Sequence, residues 1–230
     1  METNMVNTWA TLPTIDYKRL DLYKGGVMMN QLVACYRAVF ADEPWNEWKI
    51  CPVCKKKWGI KQVPELEKSG YVHCDKVVED FWPRDIVRAD IQNEISREAS
   101  CWIAHHNESV IGFCWGYPIS LDKLEEKLKL PGFATNAKRS GFPDEVAYHD
   151  EIGVKKEYRM HGIAKNMFQL SFKDFREKGL SAIVARTMSS PPTIAYYWFK
   201  KIGYKVIDRY DRHNDKDSRV ILACSTDNLS

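Results

Sequence analysis

The stretch EVAYHDEIGVKKEYRMHGIAKNMFQLSFKDFREKG, residues 145–179, decides the fold of this chain. Its first ten residues, 145–154, are rich in β-branched and aromatic side chains, which is typical of a strand. A basic loop follows, and apolar residues then recur at helical spacing from Gly162 to about Lys178, where Gly179 ends the helix. The stretch therefore predicts a strand, a short loop and an amphipathic helix.

The loop before this helix has the properties of an anion site. Unpaired backbone N–H groups and the positive end of the helix dipole meet at a helix N-terminus, and Gly162 allows the main chain to approach a phosphate closely. Positive charge nearby comes from Lys155, Lys156, Arg159 and His161. The same spacing is also compatible with an ordinary strand, turn and helix whose basic loop is simply solvated.

The flanking sequence predicts an α/β fold. Helical patterns precede the stretch at 27–40 and 86–95, and others follow it at 191–202. We expect strands at 101–106, 109–120, 181–187, 204–210 and 218–225, with a charged segment and a polar loop between 121 and 143. This order predicts a single domain over residues 1–230, built on one central mixed sheet with helices on it.

The pattern Arg159-x-x-Gly162-x-Ala164, after a strand that ends at Val154, resembles the acetyl-CoA pyrophosphate loop of the GNAT N-acetyltransferase superfamily. Downstream, Ala195, Phe199, Gly203 and Tyr204 resemble the second motif of that superfamily. The order of one strand, two helices, a hairpin and the motif strand is also similar. The resemblance covers nearly everything outside 49–76 and about 120–142, and it points to a bacterial member that acts on small molecules.

This resemblance implies the GNAT acyl-CoA N-acyltransferase fold, in which the central strands near 151–154 and 181–187 splay apart and admit acetyl-CoA. The backbone of Ile152, Gly153 and Val154 would bind the pantetheine arm and polarise the thioester carbonyl. The N–H groups of one loop would hold the pyrophosphate, namely those of Arg159, Met160, His161, Gly162, Ile163 and Ala164. An acceptor amine would attack the thioester directly, which requires a general base.

Two carboxylates are candidates for that base. Alternation along 145–154 puts Tyr148 and Asp150 on one face of the strand and His149 and Glu151 on the other. In the superfamily an acid–base residue often lies four or six positions before Val154, which makes Asp150 our first choice and Glu151 our second. Either carboxylate is equally compatible with a solvated position or with pairing to Arg159 or Arg186.

The second motif departs from the superfamily pattern at two positions. Pro192 replaces a frequent asparagine, and Phe199 replaces the tyrosine thought to protonate the leaving thiolate. Tyr196 lies one helical turn earlier and is our candidate for the proton donor. Aromatic runs such as the one around Tyr196 are also common in cores, and a thiolate is able to leave unassisted.

Seven cysteines divide into two groups. Cys35, Cys101, Cys114 and Cys224 lie among apolar residues and are expected in the core. The others lie in a Lys-, Gly- and Pro-containing insertion, residues 49–76, between the first two helices. Cys51-Pro-Val-Cys54 followed by Cys74 predicts a structural zinc site, for which His73 is the favoured fourth ligand and Asp75, His105 and His106 are alternatives. Reduced cysteines without metal are the other interpretation.

The segment ADEPWNEW, residues 41–48, immediately precedes this insertion. It resembles a connection that borders the acceptor site in bacterial GNAT proteins, where Trp45, Glu47 and Trp48 would suit a cationic amine through aromatic faces and a carboxylate. A capping turn with packed tryptophans explains the segment equally well. The predicted acceptor is the amine of a small molecule, with a protein amine as an alternative.

Composition limits the possible partners. The chain has 230 residues, 44% of them hydrophobic, and a net charge of only +3, which excludes a stapled mini-protein and indicates no broad nucleic-acid or membrane surface. The first residues lack a signal-peptide pattern and no apolar run suits a membrane helix, so we expect a cytoplasmic protein, possible as a homodimer. A zinc-knuckle module that binds nucleic acid or protein through Lys55–Lys57 is the alternative function.

Overall fold

A computed structural model describes residues 14–20, 26–95, 98–211 and 218–226 of the chain. The strands are β1 (Asp16–Arg19), β2 (Lys49–Ile50), β3 (Lys57–Trp58), β4 (Val72–His73), β5 (Lys76–Val77), β6 (Glu79–Asp80), β7 (Ser100–His106), β8 (Ser109–Ser120), β9 (Glu145–Val154), β10 (Ala182–Ser190), β11 (Lys205–Asp211) and β12 (Ser218–Ser225). The helices are α1 (Gly26–Ala41), α2 (Val63–Lys68), α3 (Arg84–Ile95), α4 (Leu121–Leu128), α5 (Phe133–Arg139), α6 (Ile163–Glu177) and α7 (Ile194–Lys201).

Seven of the strands form one mixed sheet in the order β1-β7-β8-β9-β10-β12-β11. Neighbours are antiparallel except for β9 and β10, which are parallel. The fold class predicted from the sequence is therefore confirmed as a mixed α/β sheet.

The parallel pair at the centre of the sheet separates along its length. β9 and β10 pair only where Ala147, Tyr148 and His149 face Ile183, Val184 and Ala185. Beyond these residues β9 stays paired to β8 as far as Val154, while β10 follows β12. The predicted splay of the central strands is confirmed, and it opens one edge of β9 from Asp150 onward.

Helices cover both faces of the sheet and bury its apolar side chains. On one face α1 and α3 pack on β7 and β8, while α4 and α5 pack on β8, β9 and β10. On the other face α6 and α7 pack on the central and later strands. Cys35, Cys101, Cys114 and Cys224 are all buried, which confirms their predicted place in the core.

One predicted loop is helical in the structure. The polar segment before Pro143 contains α5, which follows α4 and buries Phe133, Ala134 and Ala137. These apolar residues are too few to give a clear helical period in the sequence. The helix is stabilised by packing against α4 and the sheet. None of the helices in the described part of the chain is long and apolar enough to span a bilayer.

Candidate active site

A β-bulge shapes the site at the point where β9 and β10 separate. Trp115 and Gly116 are adjacent on β8 but face Glu151 and His149 on β9, so Asp150 is the extra residue. Gly116 is required here, because a Cβ would overlap the carbonyl oxygen of Tyr148. The strict alternation predicted for this strand is wrong at the bulge, and Asp150 and Glu151 reach the same cavity.

That cavity has a volume of about 160 Å³ and lies between the sheet and the layer formed by α1, α3 and α4. Asp150 and Arg186, both in its wall, directly follow the last paired residues of β9 and β10. Four acidic and two basic side chains line it among aromatic and apolar ones: Asp90, Glu94, Asp150, Glu151, Lys127 and Arg186, with Tyr36, Trp82, Val87, Ile91 and Trp115. The lining is therefore acidic overall.

Asp150 is held as a carboxylate by two donors. Its Oδ2 atom accepts hydrogen bonds from the Tyr117 hydroxyl at 2.6 Å and from the Lys127 ammonium at 2.7 Å. Burial alone raises the pKa of Asp150, but the charge and hydrogen bonds of Lys127 and Tyr117 outweigh burial and hold that pKa below its ordinary value. The ammonium of Lys127 also lies over the rings of Tyr117 and Tyr148.

The pKa values of Glu94 and Glu151 are shifted in the opposite direction. Burial, followed by the charge of Asp150, raises the pKa of Glu94 to about 7. Burial and the charges of Asp150 and Glu94 raise the pKa of Glu151 well above its ordinary value. Glu94 accepts hydrogen bonds from Trp115 Nε1 at 2.9 Å and Lys127 Nζ at 3.0 Å, whereas Glu151 accepts a longer one, 3.5 Å, from the Tyr36 hydroxyl.

His149 lies apart from this cavity, as the sequence predicts. It is buried against Phe168 of α6, with ring centroids 4.6 Å apart, and its Nε2 atom lies 3.0 Å from Cys114 Sγ. Burial lowers the pKa of His149 to about 3, which keeps the ring neutral.

The basic loop after β9 presents the N-terminus of α6 to solvent. Gly162 is the residue before the helix, with φ of 76°, and a Cβ there would meet no atom within 4 Å. Backbone N–H groups of the first helical turn have no acceptor within the helix. Met160 and His161 are exposed beside them, and Arg159 donates from Nε to the carbonyl of Val154 at 3.0 Å. The residues predicted to hold a pyrophosphate therefore lie together at the N-terminus of α6, where Met160, His161 and Gly162 are exposed.

A larger groove lies between α6 and α7. Its volume is about 970 Å³, and aromatic side chains from Phe168, Phe172 and Trp198 form part of its wall. Four cationic side chains and one carboxylate also line it: Lys165, Lys173, Arg176, Lys201 and Glu177. This groove is basic where the cavity across the sheet is acidic.

Comparison with known proteins identifies the family. A sequence profile described as the Acetyltransferase (GNAT) family matches residues 61–204, more than half of the chain. The chain belongs to the GNAT acetyltransferase family. The predicted class of enzyme is thereby confirmed. No curated protein sequence matched this GNAT chain.

Solved structures similar to this GNAT protein share its fold at low identity. A polyamine N-acetyltransferase of Drosophila melanogaster that forms N-acetylagmatine is 13% identical with a TM-score of 0.59, over 92% of this chain and 100% of its own. The yncA structure of Salmonella typhimurium with acetyl-CoA is 9% identical with a TM-score of 0.54, over 92% and 94%. The PaiA N-acetyltransferase of Thermoplasma acidophilum with coenzyme A is 13% identical with a TM-score of 0.50, over 92% and 99%.

The three predicted acceptor residues lie behind the cavity wall of this GNAT protein rather than in it. Glu47 accepts hydrogen bonds from Trp82 Nε1 at 2.9 Å and from Lys57 Nζ at 3.0 Å. Trp45 packs on Phe40, and Trp48 lies under the Arg37 guanidinium. Of this neighbourhood only Trp82 lines the cavity, so Glu47 is connected to the cavity through Trp82.

Tyr196 is half-buried on the first turn of α7. It packs against the apolar cluster between α6, α7 and the sheet, and its ring touches Tyr197. Phe199, one turn later, is buried in the same cluster. Tyr196 does not line the acidic cavity.

The insertion folds around the predicted metal ligands. Donor atoms of Cys51, Cys54, His73 and Cys74 all lie within 4.8 Å of one another. His73 Nδ1 is 3.6 Å from Cys54 Sγ and 3.2 Å from Cys74 Sγ. Two short sheets, β3-β2-β6 and β4-β5, carry these residues around a small core of Cys51, Trp58, Leu66 and Val78. The alternative ligands His105 and His106 lie elsewhere, on β7.

Sequence analysis did not identify Glu94 and Lys127, the two residues of the acidic cavity that interact most closely with Asp150. Glu94 lies on the last turn of α3, and Lys127 lies on α4, in a segment outside the resemblance. Both have ordinary positions in amphipathic helical patterns. Only tertiary packing brings them to Asp150, so no local pattern would have identified them.

Proposed function

We propose that this GNAT protein transfers an acetyl group from acetyl-CoA to the primary amine of a small, cationic molecule. The observation that carries the proposal is an acidic cavity that opens where β9 and β10 separate. The acceptor would bind on the side of α1, α3 and α4, and the thioester would enter between the two strands.

The charge and size of the cavity support a cationic acceptor. The Asp150 carboxylate stays ionised and only 5% of its side chain is exposed, so its charge favours a ligand with at least one positive charge. A volume of about 160 Å³ suits a short alkyl amine. The polyamine enzyme among the similar structures acts on the same kind of compound. A lysine side chain of a protein would also carry the required charge.

The opposite side of the sheet supports acetyl-CoA as the cosubstrate. The exposed N-terminus of α6, from Arg159 to Ala164, suits a pyrophosphate. The basic groove between α6 and α7 suits the remaining phosphate and the adenine, through cations and aromatic faces. The free edge of β9 at Ile152, Gly153 and Val154 offers backbone groups to the pantetheine arm and to the thioester oxygen.

The CoA thiolate needs little assistance from the protein in order to leave. A thiol is acidic enough for its anion to leave without full protonation. Tyr196 is the proposed donor of a proton to the thiolate, because it lies about one helical turn before the buried Phe199 and is half-buried, whereas Tyr197 is 62% exposed.

The insertion is proposed to bind a structural zinc ion through Cys51, Cys54, Cys74 and His73. Zinc–sulfur bonds of about 2.3 Å and zinc–nitrogen bonds of about 2.0 Å place tetrahedral ligands about 3.5 to 3.8 Å apart. The 3.2 and 3.6 Å separations around His73 suit that geometry after small shifts. Four ligands close the coordination sphere, so the ion would stabilise the insertion and take no part in acetyl transfer.

Two measurements test the proposed reaction. Acetyl-CoA should raise the midpoint of thermal unfolding, because it binds the folded protein alone. Release of free CoA thiol should then depend on added amines, and should be faster with diamines than with neutral or acidic acceptors. Binding of acetyl-CoA with no thiol release from any amine or lysine peptide would refute the proposed activity. Salt-sensitive retention of nucleic acid would favour the binding-module alternative.

A further inference from the structure

We propose that Glu94 accepts the proton of the acceptor ammonium and is the general base of the reaction. This inference rests on the proposed function, because it assigns a role within the same cavity. It replaces Asp150, our first choice from the sequence, with a residue of α3 that the sequence pattern does not single out.

Geometry separates Glu94 from the other carboxylates. Its side chain is 19% exposed and lines the cavity, whereas the side chain of Asp150 is 5% exposed. Trp115 Nε1 holds one oxygen of Glu94 at 2.9 Å, and the flexible side chain of Lys127 reaches the other at 3.0 Å. The carboxylate is therefore fixed in orientation while one oxygen faces a group that an acceptor is able to displace.

The charges around Glu94 prepare it to take up a proton. From its own helix it faces Asp90, and from β9 it faces Asp150 and Glu151. Burial and the charge of Asp150 disfavour the ionised form of Glu94. Two cationic groups also face Glu94, Lys127 of α4 and Arg186 of β10. The nearby phenol groups are those of Tyr36 on α1 and Tyr117 on β8. Burial and Asp150 outweigh Lys127, and the resulting pKa of about 7 suits proton transfer near neutral pH.

Asp150 is less suited to the same step. Tyr117 and Lys127 both donate to its Oδ2 atom, at 2.6 and 2.7 Å, and these bonds stabilise the ionised form. A carboxylate whose pKa is held below its ordinary value is a weak base. Asp150 instead supplies a fixed negative charge, which attracts the ammonium and raises the proton affinity of Glu94.

The nitrogen of the acceptor ammonium loses two protons during acetyl transfer. The ammonium gives one proton to the Glu94 carboxylate, directly or through one water, and its nitrogen then attacks the thioester carbon. The carbon–nitrogen bond forms and the carbon–sulfur bond breaks, so that CoA leaves with the electron pair on sulfur. Tyr196 gives its proton to the thiolate and regains one from the second proton lost by the nitrogen, through solvent, and Glu94 releases its own proton to solvent.

The test compares the pH dependence of two variants that each remove one carboxylate of α3. In the wild type, kcat/KM for a diamine should fall about tenfold per pH unit below pH 7, since Glu94 must be ionised to act. Glu94→Gln keeps the size of the side chain and should lower kcat by at least about 100-fold and abolish this acidic limb. Asp90→Asn, one turn earlier on α3, should raise KM for the diamine but keep the limb.

A second variant leaves Glu94 in place. Because Lys127 lowers the pKa of Glu94, Lys127→Met should move the acidic limb above pH 7. An acetyl-CoA thermal shift measured on each variant reports whether the fold and cofactor site are intact. If Glu94→Gln binds acetyl-CoA and keeps both the limb and a kcat within about twofold of the wild type, the assignment to Glu94 is overturned while the proposed function stands. If the wild type acetylates no amine, both fail.

Discussion

Removal of the Lys127 ammonium should destabilise the protein by leaving a buried carboxylate without its counter-charge. Lys127 Nζ lies 2.7 Å from Asp150 and 3.0 Å from Glu94, and the side chain of Asp150 is 5% exposed. Breaking a buried pair by removing one partner costs about 3–5 kcal/mol. Because Lys127 itself is 27% exposed, we expect Lys127→Met to lower the free energy of unfolding at pH 7 by about 3 kcal/mol, near the lower end of that range.

A surface lysine provides the matched control. Lys138 lies 3.2 Å from Asp122 and 3.1 Å from Asp144, but those carboxylates are 73% and 85% exposed. Exposed pairs contribute about 0–1 kcal/mol, so Lys138→Met should change stability by no more than that. Urea unfolding followed by tryptophan fluorescence measures both variants.

The penalty for Lys127→Met should also depend on pH. In the wild type the pKa of Asp150 is lower in the folded protein than in the unfolded chain. The pair with Lys127 therefore stabilises the fold at every pH above the unfolded-state pKa, and this stabilisation is lost as pH falls through the folded-state pKa. Without Lys127, burial raises the pKa of Asp150, and the native variant then binds protons that the unfolded chain does not. Its penalty should therefore shrink between pH 7 and pH 5. A variant as stable as Lys138→Met at pH 7, or a penalty constant over this range, would show that the buried pair does not act as described.

Two further substitutions test the metal and cofactor sites. Cys54→Ser should lower bound zinc from one equivalent to near zero by metal analysis. Cys35→Ala, at a buried position of α1, should keep the metal, and wild-type protein purified without zinc would contradict the site. Gly162→Ala should strain a residue with φ of 76° by about 1 kcal/mol and weaken the acetyl-CoA thermal shift. Gly132→Ala, at the start of α5 with φ of 87°, imposes the same strain, and an equal loss of the shift there would exclude a specific role for the loop at Gly162.

The part of the fold that follows from local periodicity could be predicted. The strand at 145–154, the helix that begins after Gly162 and the hairpin of β7 and β8 each carry their own period and their own terminating residue. Helix α5 could not be predicted in this way, because its apolar residues are few and are stabilised by α4 and the sheet. The bulge at Asp150 has no local signal either, since it depends on pairing with Gly116.

The residues of the candidate site also differ in whether the sequence alone identifies them. Residues on one continuous segment, such as the loop from Arg159 to Ala164, are recognisable by spacing alone. Cys51, Cys54 and Cys74 are likewise recognisable, because their chemistry restricts their alternatives. Glu94 and Lys127 are 33 residues apart and meet only because α3 and α4 pack on the same face of the sheet. The choice of Asp150 came from its superfamily position four residues before Val154, and that position carries no information about the contacts that Glu94 makes.

The most direct test of the central claim compares two acceptors of equal chain length. With acetyl-CoA present, release of free CoA thiol gives kcat/KM for 1,4-diaminobutane and for butylamine. The acidic cavity predicts a preference of at least about tenfold for the diamine, because its second ammonium contributes about 1.4 kcal/mol or more in that environment. Equal rates or a preference for butylamine would contradict selection of the acceptor by the charge of this cavity, and no amine-dependent thiol release would contradict acetyl transfer itself.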